Sequence, residues 1–213
     1  MKIVLYGVSS PYAADAVETA ARLGWELAAC VRNVPDGETP AELPAVIEAE
    51  RLTPELLELP FLVPLMKGES RRAAEADAHT RGFRDRVTMV DPTAVLALSA
   101  QIGAGSYVNA AAILAAGVRA GAGCAVNRGA SVGHHAVLED YVSLGPGAVT
   151  GGGCRLCEGA FLGVGAVIAP EVRVGAGATV GAGAVVIADV PEGSTVVGNP
   201  ARAIGARATG AQR

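Results

Sequence analysis

Large aliphatic side chains recur at every sixth position over nearly half of the chain, from Val90 to Val186. Only Ala120 and Thr150 replace them with a smaller or polar side chain. A small or slim residue lies two positions before each aliphatic, and glycine gathers one and three positions after it. The series is Val90, Leu96, Ile102, Val108, Leu114, Ala120, Val126, Val132, Leu138, Leu144, Thr150, Leu156, Leu162, Ile168, Val174, Val180 and Val186.

This period of six fits neither an amphipathic helix nor an alternating strand, and it is typical of a parallel β-helix built from hexapeptides. Three hexads form one triangular coil, in which the aliphatic side chain points inward from each flat face and glycine relieves the backbone at the turns. At about 18 residues per coil, roughly five to six coils result. A disordered glycine- and alanine-rich tract would not hold this register. The pattern therefore predicts a β-helix over residues 89–190.

Strand and helix signals alternate ahead of the β-helix. Residues 2–6 and 26–31 are apolar runs that predict two strands. Between them, Ser10 is expected to cap a helix with Pro11 at its first position, and Gly24 is expected to end it. A strand, a helix and a strand in such a short stretch predict a βαβ unit with a parallel sheet. Only Gly7 remains of a glycine-rich dinucleotide fingerprint, so that site is not expected.

Weaker signals complete the domain plan. We expect a short strand at 45–48, a helical turn at 53–57, a strand at 61–65, a helix capped by Ser70 and ended by Gly82, and a strand at 86–90. These elements predict a small α/β, Rossmann-like substrate-binding domain at 1–88. After Val186 the hexad phase is lost. Residues 189–193 are therefore expected to turn out of the coil, leading into a C-terminal segment, 191–213, whose last residues fray.

The composition is that of a globular, core-rich protein, because 51% of the residues are hydrophobic and 18% are charged. The net charge of −4 and the pI near 5.4 argue against a nucleic-acid partner. The sequence shows no apolar run of membrane length and no signal-peptide pattern, so we expect a cytoplasmic protein without a membrane partner. The pair Cys154 and Cys157 lacks a second pair to complete a metal site, so no metal is expected.

Two of the three histidines, His134 and His135, are neighbours in the hexad region. Val132 and Ala136 hold the inward positions around them, so both imidazoles are expected to project from the prism near a corner. Two interpretations follow from the residues alone. The histidines are either solvated surface groups or the base of a catalytic site.

Three runs in this part of the chain carry a resemblance to a known family. They are NRGASVGHHAVLEDYV at 127–142, PGA at 146–148 and VGNPA at 197–201. Together they resemble the hexapeptide-repeat sugar acyltransferases, above all the bacterial sialic acid O-acetyltransferase and UDP-4-amino-sugar N-acetyltransferase group. The resemblance implies a left-handed parallel β-helix (hexapeptide repeat) behind a Rossmann-like domain. It also implies acetyl-CoA as acyl donor, a sugar as acceptor, and a homotrimer with acetyl-CoA between two prisms.

The resemblance implies roles for individual residues as well. His134 falls on the family's general base, His135 stands where the family has an acid, and Gly152 falls on the backbone N–H that contacts the acetyl carbonyl. In the implied reaction, His134 takes a proton as an amine or hydroxyl attacks the thioester, and the Gly152 N–H stabilises the oxyanion. The implied cofactor-binding residues are Gly152, Val164, Ala182, Gly198 and Arg202, and the implied substrate-binding residues are Gly7, Ser9, Ser10, Arg32, His135 and Ser143.

The N-terminal turn departs from the family's pattern. The family has a further glycine, a histidine and a lysine in this turn, whereas residues 7–13 read GVSSPYA. After the second strand the family places acidic residues that hold the uridine, whereas this chain has Arg32 and Asn33. Because a guanidinium only donates, Arg32 suits a phosphate or carboxylate of the ligand. We therefore expect an acceptor that is not recognised as a UDP-sugar in the family's usual way. A domain that only orients the trimer is the alternative.

Two rival functions also fit a β-helix. A γ-class carbonic anhydrase would need three histidines around its zinc, and His79 lies in the other domain. A non-catalytic scaffold is the stronger rival, because the acidic partner of His134 is absent. Thiol release from acetyl-CoA in the presence of amino sugars would separate an enzyme from a scaffold.

Overall fold

The N-terminal part is built around a parallel sheet. The computed structural model describes residues 1–34 and 39–204. Its first strands are β1 Lys2–Tyr6, β2 Glu26–Arg32, β3 Val46–Glu48 and β4 Phe61–Leu62, and its helices are α1 Tyr12–Arg22, α2 Pro54–Leu57 and α3 Gly68–Arg81, with a 3₁₀ helix at Ala49–Arg51. The four strands are parallel, in the order β3-β2-β1-β4. This confirms the predicted βαβ unit. Within the described residues, no helix has both the length and the apolar character needed to cross a membrane.

Helix α1 ends as the sequence predicts, but its N-cap is Pro11 rather than Ser10, and Tyr12 is its first residue. The Ser10 hydroxyl accepts a hydrogen bond from the Tyr12 N–H at 3.3 Å, and Pro11 already has the helical φ of −53°. Gly24 follows the helix with a φ of +66°, a left-handed conformation that glycine adopts without strain. The predicted end of α1 is therefore confirmed, and its start lies one residue later than predicted.

Helix α3 begins earlier than predicted. Its N-cap is Lys67 rather than Ser70, and Gly68 is its first residue. A Cβ on Gly68 would lie 2.3 Å from the carbonyl oxygen of Tyr141, so only glycine lets the helix start against the β-helix. That contact is made far along the chain and leaves no trace in the local capping pattern. The predicted end is confirmed, because Gly82 takes a left-handed φ of +116°.

From Met89 onward, short strands stack into three sheets. The first sheet contains Met89–Val90, Tyr107–Val108, Ala125–Val126, Ser143–Leu144, Phe161–Leu162, Thr179–Val180, Thr195–Val197 and Arg202–Ile204. The second contains Val95–Leu96, Ile113–Leu114, Ser131–Val132, Val149–Thr150, Val167–Ile168 and Val185–Val186. The third contains Gln101–Ile102, Arg119–Ala120, Val137–Leu138, Arg155–Leu156 and Arg173–Val174. Arg119 pairs with Val137, 18 residues on (137 − 119), so one coil has the predicted length. The stacking fits the predicted left-handed β-helix.

The inward column of the hexads forms the core of the prism. Val132, Leu138 and Leu144 are fully buried, and each such side chain contributes roughly 1.5–3 kcal/mol of hydrophobic stabilisation. Thr150 is tolerated in this column because its hydroxyl accepts a hydrogen bond from the Gly133 N–H at 3.1 Å. The polar exception in the series is therefore satisfied inside the coil.

The last coil continues past the point where the hexad phase ends. Val190 pairs with Val174, and Thr195 pairs with Thr179. Both pairs are 16 residues apart (190 − 174 and 195 − 179) instead of 18, so the coil is two residues shorter. The expectation that residues 189–193 leave the coil is therefore wrong. The predicted fraying of the last residues concerns 205–213, which lie outside the described residues.

A buried arginine joins the N-terminal part to the first sheet. Arg71 of α3 is only 2% exposed. Its guanidinium donates to the carbonyl oxygens of Leu65 at 2.5 Å and Gly123 at 2.6 Å, and to the hydroxyl of Ser143 at 3.0 Å. It also donates to the carbonyls of Met66, Tyr141 and Val142. Because a guanidinium presents five N–H groups in a fixed fork, this side chain holds α3 in one position on the prism.

A second polar network joins α1 to the start of the β-helix. The buried carboxylate of Asp91 accepts hydrogen bonds from Thr19 and from Arg22, and its other oxygen accepts from Thr93. Burial alone would raise the pKa of Asp91, but these hydrogen bonds outweigh it and lower the pKa to about 2. Tyr107 reaches the same network through its hydroxyl, 2.8 Å from that of Thr19.

Candidate active site

The two adjacent histidines lie at one edge of the prism. His134 and His135 occupy the turn 133–136, between the strands Ser131–Val132 and Val137–Leu138. We call the stacked turns 115–118, 133–136 and 151–154 the histidine edge. Both side chains are exposed, as predicted, while Val132 and Ala136 point into the core.

Each imidazole lies against a glycine of a neighbouring coil. A Cβ on Gly152 would lie 2.4 Å from Cε1 and 2.5 Å from Nε2 of His134. A Cβ on Gly117 would lie 2.8 Å from Cδ2 of His135. Contacts this short do not occur between real atoms, so the rings occupy space that only glycine leaves open. The chain therefore provides a recess for each ring, one coil above and one coil below.

The two rings also contact each other. Their Nδ1 atoms are 3.1 Å apart, and the ring planes are nearly perpendicular, at 80°. This leaves the Nε2 atom of His134 on the side of Gly152. His135 thus contacts His134 from the position at which the resemblance implies an acid.

Gly152 offers a backbone donor beside this ring. Its carbonyl accepts from the Glu171 N–H at 2.9 Å, and its neighbour Gly153 donates to the His134 carbonyl at 2.8 Å. Among the described residues, the Gly152 N–H has no backbone acceptor. A base nitrogen and a free N–H thus lie together at the histidine edge, which is the pairing that acyl transfer needs.

The predicted cofactor residues lie at a different edge. Val164 and Ala182 occupy the turns 163–166 and 181–184, between the first and second sheets, and both are exposed. Gly198 lies beside them, because its carbonyl accepts from the Val185 N–H at 2.9 Å. We call the turns 127–130, 145–148, 163–166 and 181–184 the Val164 edge. Arg202 follows in the exposed terminal strand. Within one chain, therefore, Gly152 is separated from the rest of the predicted cofactor set by the width of the second sheet.

Two of the predicted substrate residues, Ser9 and Ser10, line a cavity in the N-terminal part. A cavity of about 550 Å³ lies beyond the ends of β1, β2 and β4 and is lined by Ser9, Ser10, Asn33, Val34, Leu65, Met66, Lys67, Ser70, Ala73 and Ala74. Met66 also accepts a weak hydrogen bond from Asn127, a residue of the Val164 edge. Gly7 is buried beneath Ala74 and Asn33 and supports the turn rather than lining the cavity.

Solved structures match this chain over almost its whole length. A mutant of perosamine N-acetyltransferase from Caulobacter crescentus, in complex with CoA and GDP-perosamine, is 31% identical, with a TM-score of 0.86 over 96% of this chain and 97% of that chain. The acetyltransferase domain of PglB from Neisseria gonorrhoeae is 32% identical, with a TM-score of 0.84 over 95% and 99% of the two chains. The chain belongs to the hexapeptide-repeat sugar acyltransferases.

Further comparisons agree with this family. WeeI from Acinetobacter baumannii is 25% identical, with a TM-score of 0.78 over 96% of this chain and 100% of that chain. The PglB domain has also been solved in complex with acetyl coenzyme A. No protein-family model and no curated protein matches the chain. The resemblance stated from the hexad region is thus confirmed.

Arg32 of this acyltransferase is already engaged by the protein. Its Nε donates to a carboxylate oxygen of Glu48 at 3.0 Å, and a second nitrogen also contacts that carboxylate. The Arg32 guanidinium lowers the pKa of Glu48. Arg32 therefore shares its charge with Glu48 of the neighbouring strand β3, and its contact with a ligand stays a prediction. That pairing joins side chains on two strands and was not visible from the sequence.

Ser143 is likewise engaged inside the protein. It is only 1% exposed, and its hydroxyl accepts from Arg71 under helix α3. The hydroxyl therefore does not face a ligand, and its predicted substrate contact is corrected to a contact between the two parts of the chain. The sequence aligned the residue correctly within the coil but gave no sign that α3 covers it.

A second cavity, of about 690 Å³, lies on the other side of Lys67. It is lined by Lys67, Gly68, Glu69, Arg72, Tyr141, Glu158, Gly159, Phe161, Ala176, Gly177, Thr179, Glu192 and Gly193. Although it is larger, its three glutamates disfavour an anionic ligand, and Arg72 pairs with Glu158. Within the described residues, no cluster of three or more His, Cys, Asp or Glu side chains could hold a metal ion.

Proposed function

We propose that this chain transfers an acetyl group from acetyl-CoA to the amino group of a nucleotide-linked sugar. The observation that carries the proposal is the exposed residue His134, whose Nε2 lies on the side of Gly152, where the backbone N–H has no backbone acceptor among the described residues. Two relatives above 30% identity support it, one in complex with CoA and GDP-perosamine and the other with acetyl coenzyme A. The proposal places the reaction in the cytoplasm, where CoA thioesters are formed and used.

The reaction needs no covalent enzyme intermediate. The neutral amine of the sugar attacks the thioester carbonyl, forming a C–N bond, while Nε2 of His134 takes a proton from the attacking nitrogen. The Gly152 N–H donates to the oxyanion as it develops. The C–S bond then breaks, and the proton on His134 passes to the departing sulfur, giving the amide and free CoA. A positioned base contributes about 10²–10⁴-fold and one oxyanion donor about 10²–10³-fold.

A homotrimer would complete the site. In one chain, the histidine edge and the Val164 edge lie on opposite sides of the second sheet. Four of the six outward residues of that sheet are apolar and exposed, with Val95 62%, Ile113 43%, Val149 39% and Val167 38% exposed. Packing of this face around a threefold axis would bury these side chains and bring the histidine edge of one chain next to the Val164 edge of its neighbour. Acetyl-CoA would then lie between two chains, in contact with Gly152 of one and with Val164 and Ala182 of the other.

The N-terminal part suits the nucleotide. We propose that it is a Rossmann-like substrate-binding domain and that the diphosphate enters the 550 Å³ cavity. In open parallel sheets, ligands bind beyond the carboxyl ends of the strands, and helix N-termini stabilise phosphates. Here the starts of α1 and α3 both lie beside the cavity, at Ser10 and Lys67. Because Asn33 replaces an acidic residue, a base other than uracil is favoured.

Product analysis tests this function. The purified chain is incubated with acetyl-CoA and a panel of GDP-, UDP-, dTDP- and CMP-linked amino sugars, and the masses of the products are measured by mass spectrometry. We expect the mass of one acetyl group to be added to an amino sugar, with GDP-linked acceptors converted faster than UDP-linked ones. Acetylation of UDP-linked sugars alone would keep the enzyme but reject the proposed nucleotide preference. Acetyl-CoA binding without conversion of any acceptor would favour a scaffold.

A further inference from the structure

The contact between the two histidines restricts the proton positions on both rings. Their Nδ1 atoms are 3.1 Å apart, so one ring donates and the other accepts. If His135 donates, neutral His134 carries its own proton on Nε2 and cannot remove one from the acceptor. If His134 donates, its Nε2 is left with a lone pair on the side of Gly152. Only the second arrangement gives a base.

The strained backbone at His135 indicates that this side chain has a role of its own. Its φ is +58°, in the left-handed region that residues other than glycine adopt at a cost of about 1–3 kcal/mol. Directly below and above it in the same column, Gly117 and Gly153 take the same conformation with φ of +72° and +70°. Glycine would therefore be the less strained choice at position 135. The recess over Gly117 also holds the His135 ring in a fixed place.

We propose that His135 is the positioning residue of the base. Its Nδ1 accepts the hydrogen bond from the Nδ1–H of His134 and so holds that imidazole over Gly152 in the tautomer whose Nε2 takes the proton. A carboxylate often accepts the Nδ1–H bond of a catalytic histidine and so fixes its tautomer. Here the neutral ring nitrogen of His135 has that role. The expected effect on kcat rests on the proposed function. The tautomer of His134 can be observed in the absence of any reaction. It replaces the expectation that His135 binds substrate.

Substitutions at position 135 separate an acceptor from a structural filler. His135→Gly removes the acceptor and suits the positive φ, while His135→Asn and His135→Asp keep an acceptor oxygen and are tolerated in this conformation. We expect His135→Gly to lower kcat by about tenfold or more, within the range of a positioned base, with the KM for acetyl-CoA unchanged. Asn and Asp should regain most of that loss. Ala111→Gly, at another left-handed turn position with φ of +54°, is the matched control and should leave kcat unchanged.

Nitrogen-15 spectra of the imidazoles test the tautomer directly. In the intact protein with labelled histidine, His79 is an internal reference, because its Nδ1 faces the Phe83 carbonyl at 2.9 Å and must carry a proton. We expect His134 to show the same Nδ1–H tautomer at neutral to slightly alkaline pH and to shift towards Nε2–H in His135→Gly. An Nε2–H tautomer for His134 in the unmodified protein would overturn the proposal, as would an unchanged kcat in His135→Gly. If the protein transfers no acetyl group, the spectrum alone decides the role of His135.

Discussion

The imidazole of His134 lies over Gly152, one coil of 18 residues further along the prism (152 − 134). An ideal Cβ on Gly152 would come within 2.5 Å of Nε2, so the ring and the glycine backbone share one small space. The repeat that stacks the coils therefore also sets the distance between a base and a backbone donor. The stacking of the coils thus determines how His134 and Gly152 lie relative to each other.

Gly152→Ala tests whether this recess matters for catalysis. The residue has no positive φ, so alanine fits the backbone, but its methyl group collides with the His134 ring. We expect kcat to fall by about 10-fold to 10³-fold, because the ring is displaced and the N–H is crowded. In a His134→Ala background the same substitution should have almost no further effect, since interacting residues are non-additive. Equal losses in both backgrounds would show that Gly152 acts independently of His134.

Arg71→Met should weaken the attachment of α3 to the prism. The substitution removes the charge but leaves several buried carbonyl oxygens without a donor, each at a cost of about 1–3 kcal/mol. We expect the free energy of unfolding to drop by about 3–5 kcal/mol, as measured by urea denaturation at a fixed protein concentration. Arg84→Met at an exposed position is the control and should change it little. Similar losses in the two variants would contradict a specific role for Arg71.

Asp91 should make stability depend on acid pH. Its pKa falls from an ordinary value of 3.8 to about 2 in the folded protein, so the stabilisation is present above pH 4 and is lost as the pH falls towards 2. The shift corresponds to about 2 kcal/mol. In Asp91→Asn, the unfolding free energy should be lower at neutral pH and flatter between pH 4 and 2. Asp85→Asn, at an exposed position, should retain the pH dependence of the unmodified protein. An unaltered slope in Asp91→Asn would contradict this assignment.

Mixed trimers test whether the site is shared between chains. One chain carries His134→Ala, and the other carries Ala182→Arg, which blocks the Val164 edge. Each homotrimer should retain only a small fraction of the unmodified activity. If each site takes His134 from one chain and Ala182 from its neighbour, random co-assembly restores about a quarter of the sites. Activity that stays absent in a mixture whose assembly is verified by mass would place the whole site within one chain.

The sequence predicted those parts of the fold that a local period or cap encodes. The inward column from Val90 to Val186 predicts the coil directly. Its polar exception, Thr150, accepts a hydrogen bond within the coil. The last coil was misjudged because two missing residues shift the phase without breaking the stacking of Thr195 on Thr179. The hexad period shows where the register changes, but it does not show that the strands continue to stack after the change.

The site was predicted less completely, because side-chain partners from distant parts of the chain follow no spacing rule. His134 and Gly152 could be inferred from a resemblance, and their separation by one coil agrees with it. The engagement of Arg32 by Glu48 and of Ser143 by Arg71 appeared only in three dimensions. One missed signal was present, since Gly117 lies 18 positions before His135 and Gly152 lies 18 positions after His134 (135 − 117 and 152 − 134), which marks open space beside each ring.

The most direct measurement is thiol release from acetyl-CoA by the unmodified protein, by His134→Ala and by His79→Gln, with and without an amino-sugar acceptor. The account predicts release that requires the acceptor and that falls by about 10²–10⁴-fold in His134→Ala, while calorimetry shows acetyl-CoA binding nearly unchanged. His79→Gln should keep its rate, because its ring contacts the Phe83 carbonyl and the Phe61 ring, both in the N-terminal part. Acceptor-dependent release at the full rate in His134→Ala would contradict the assignment of the base.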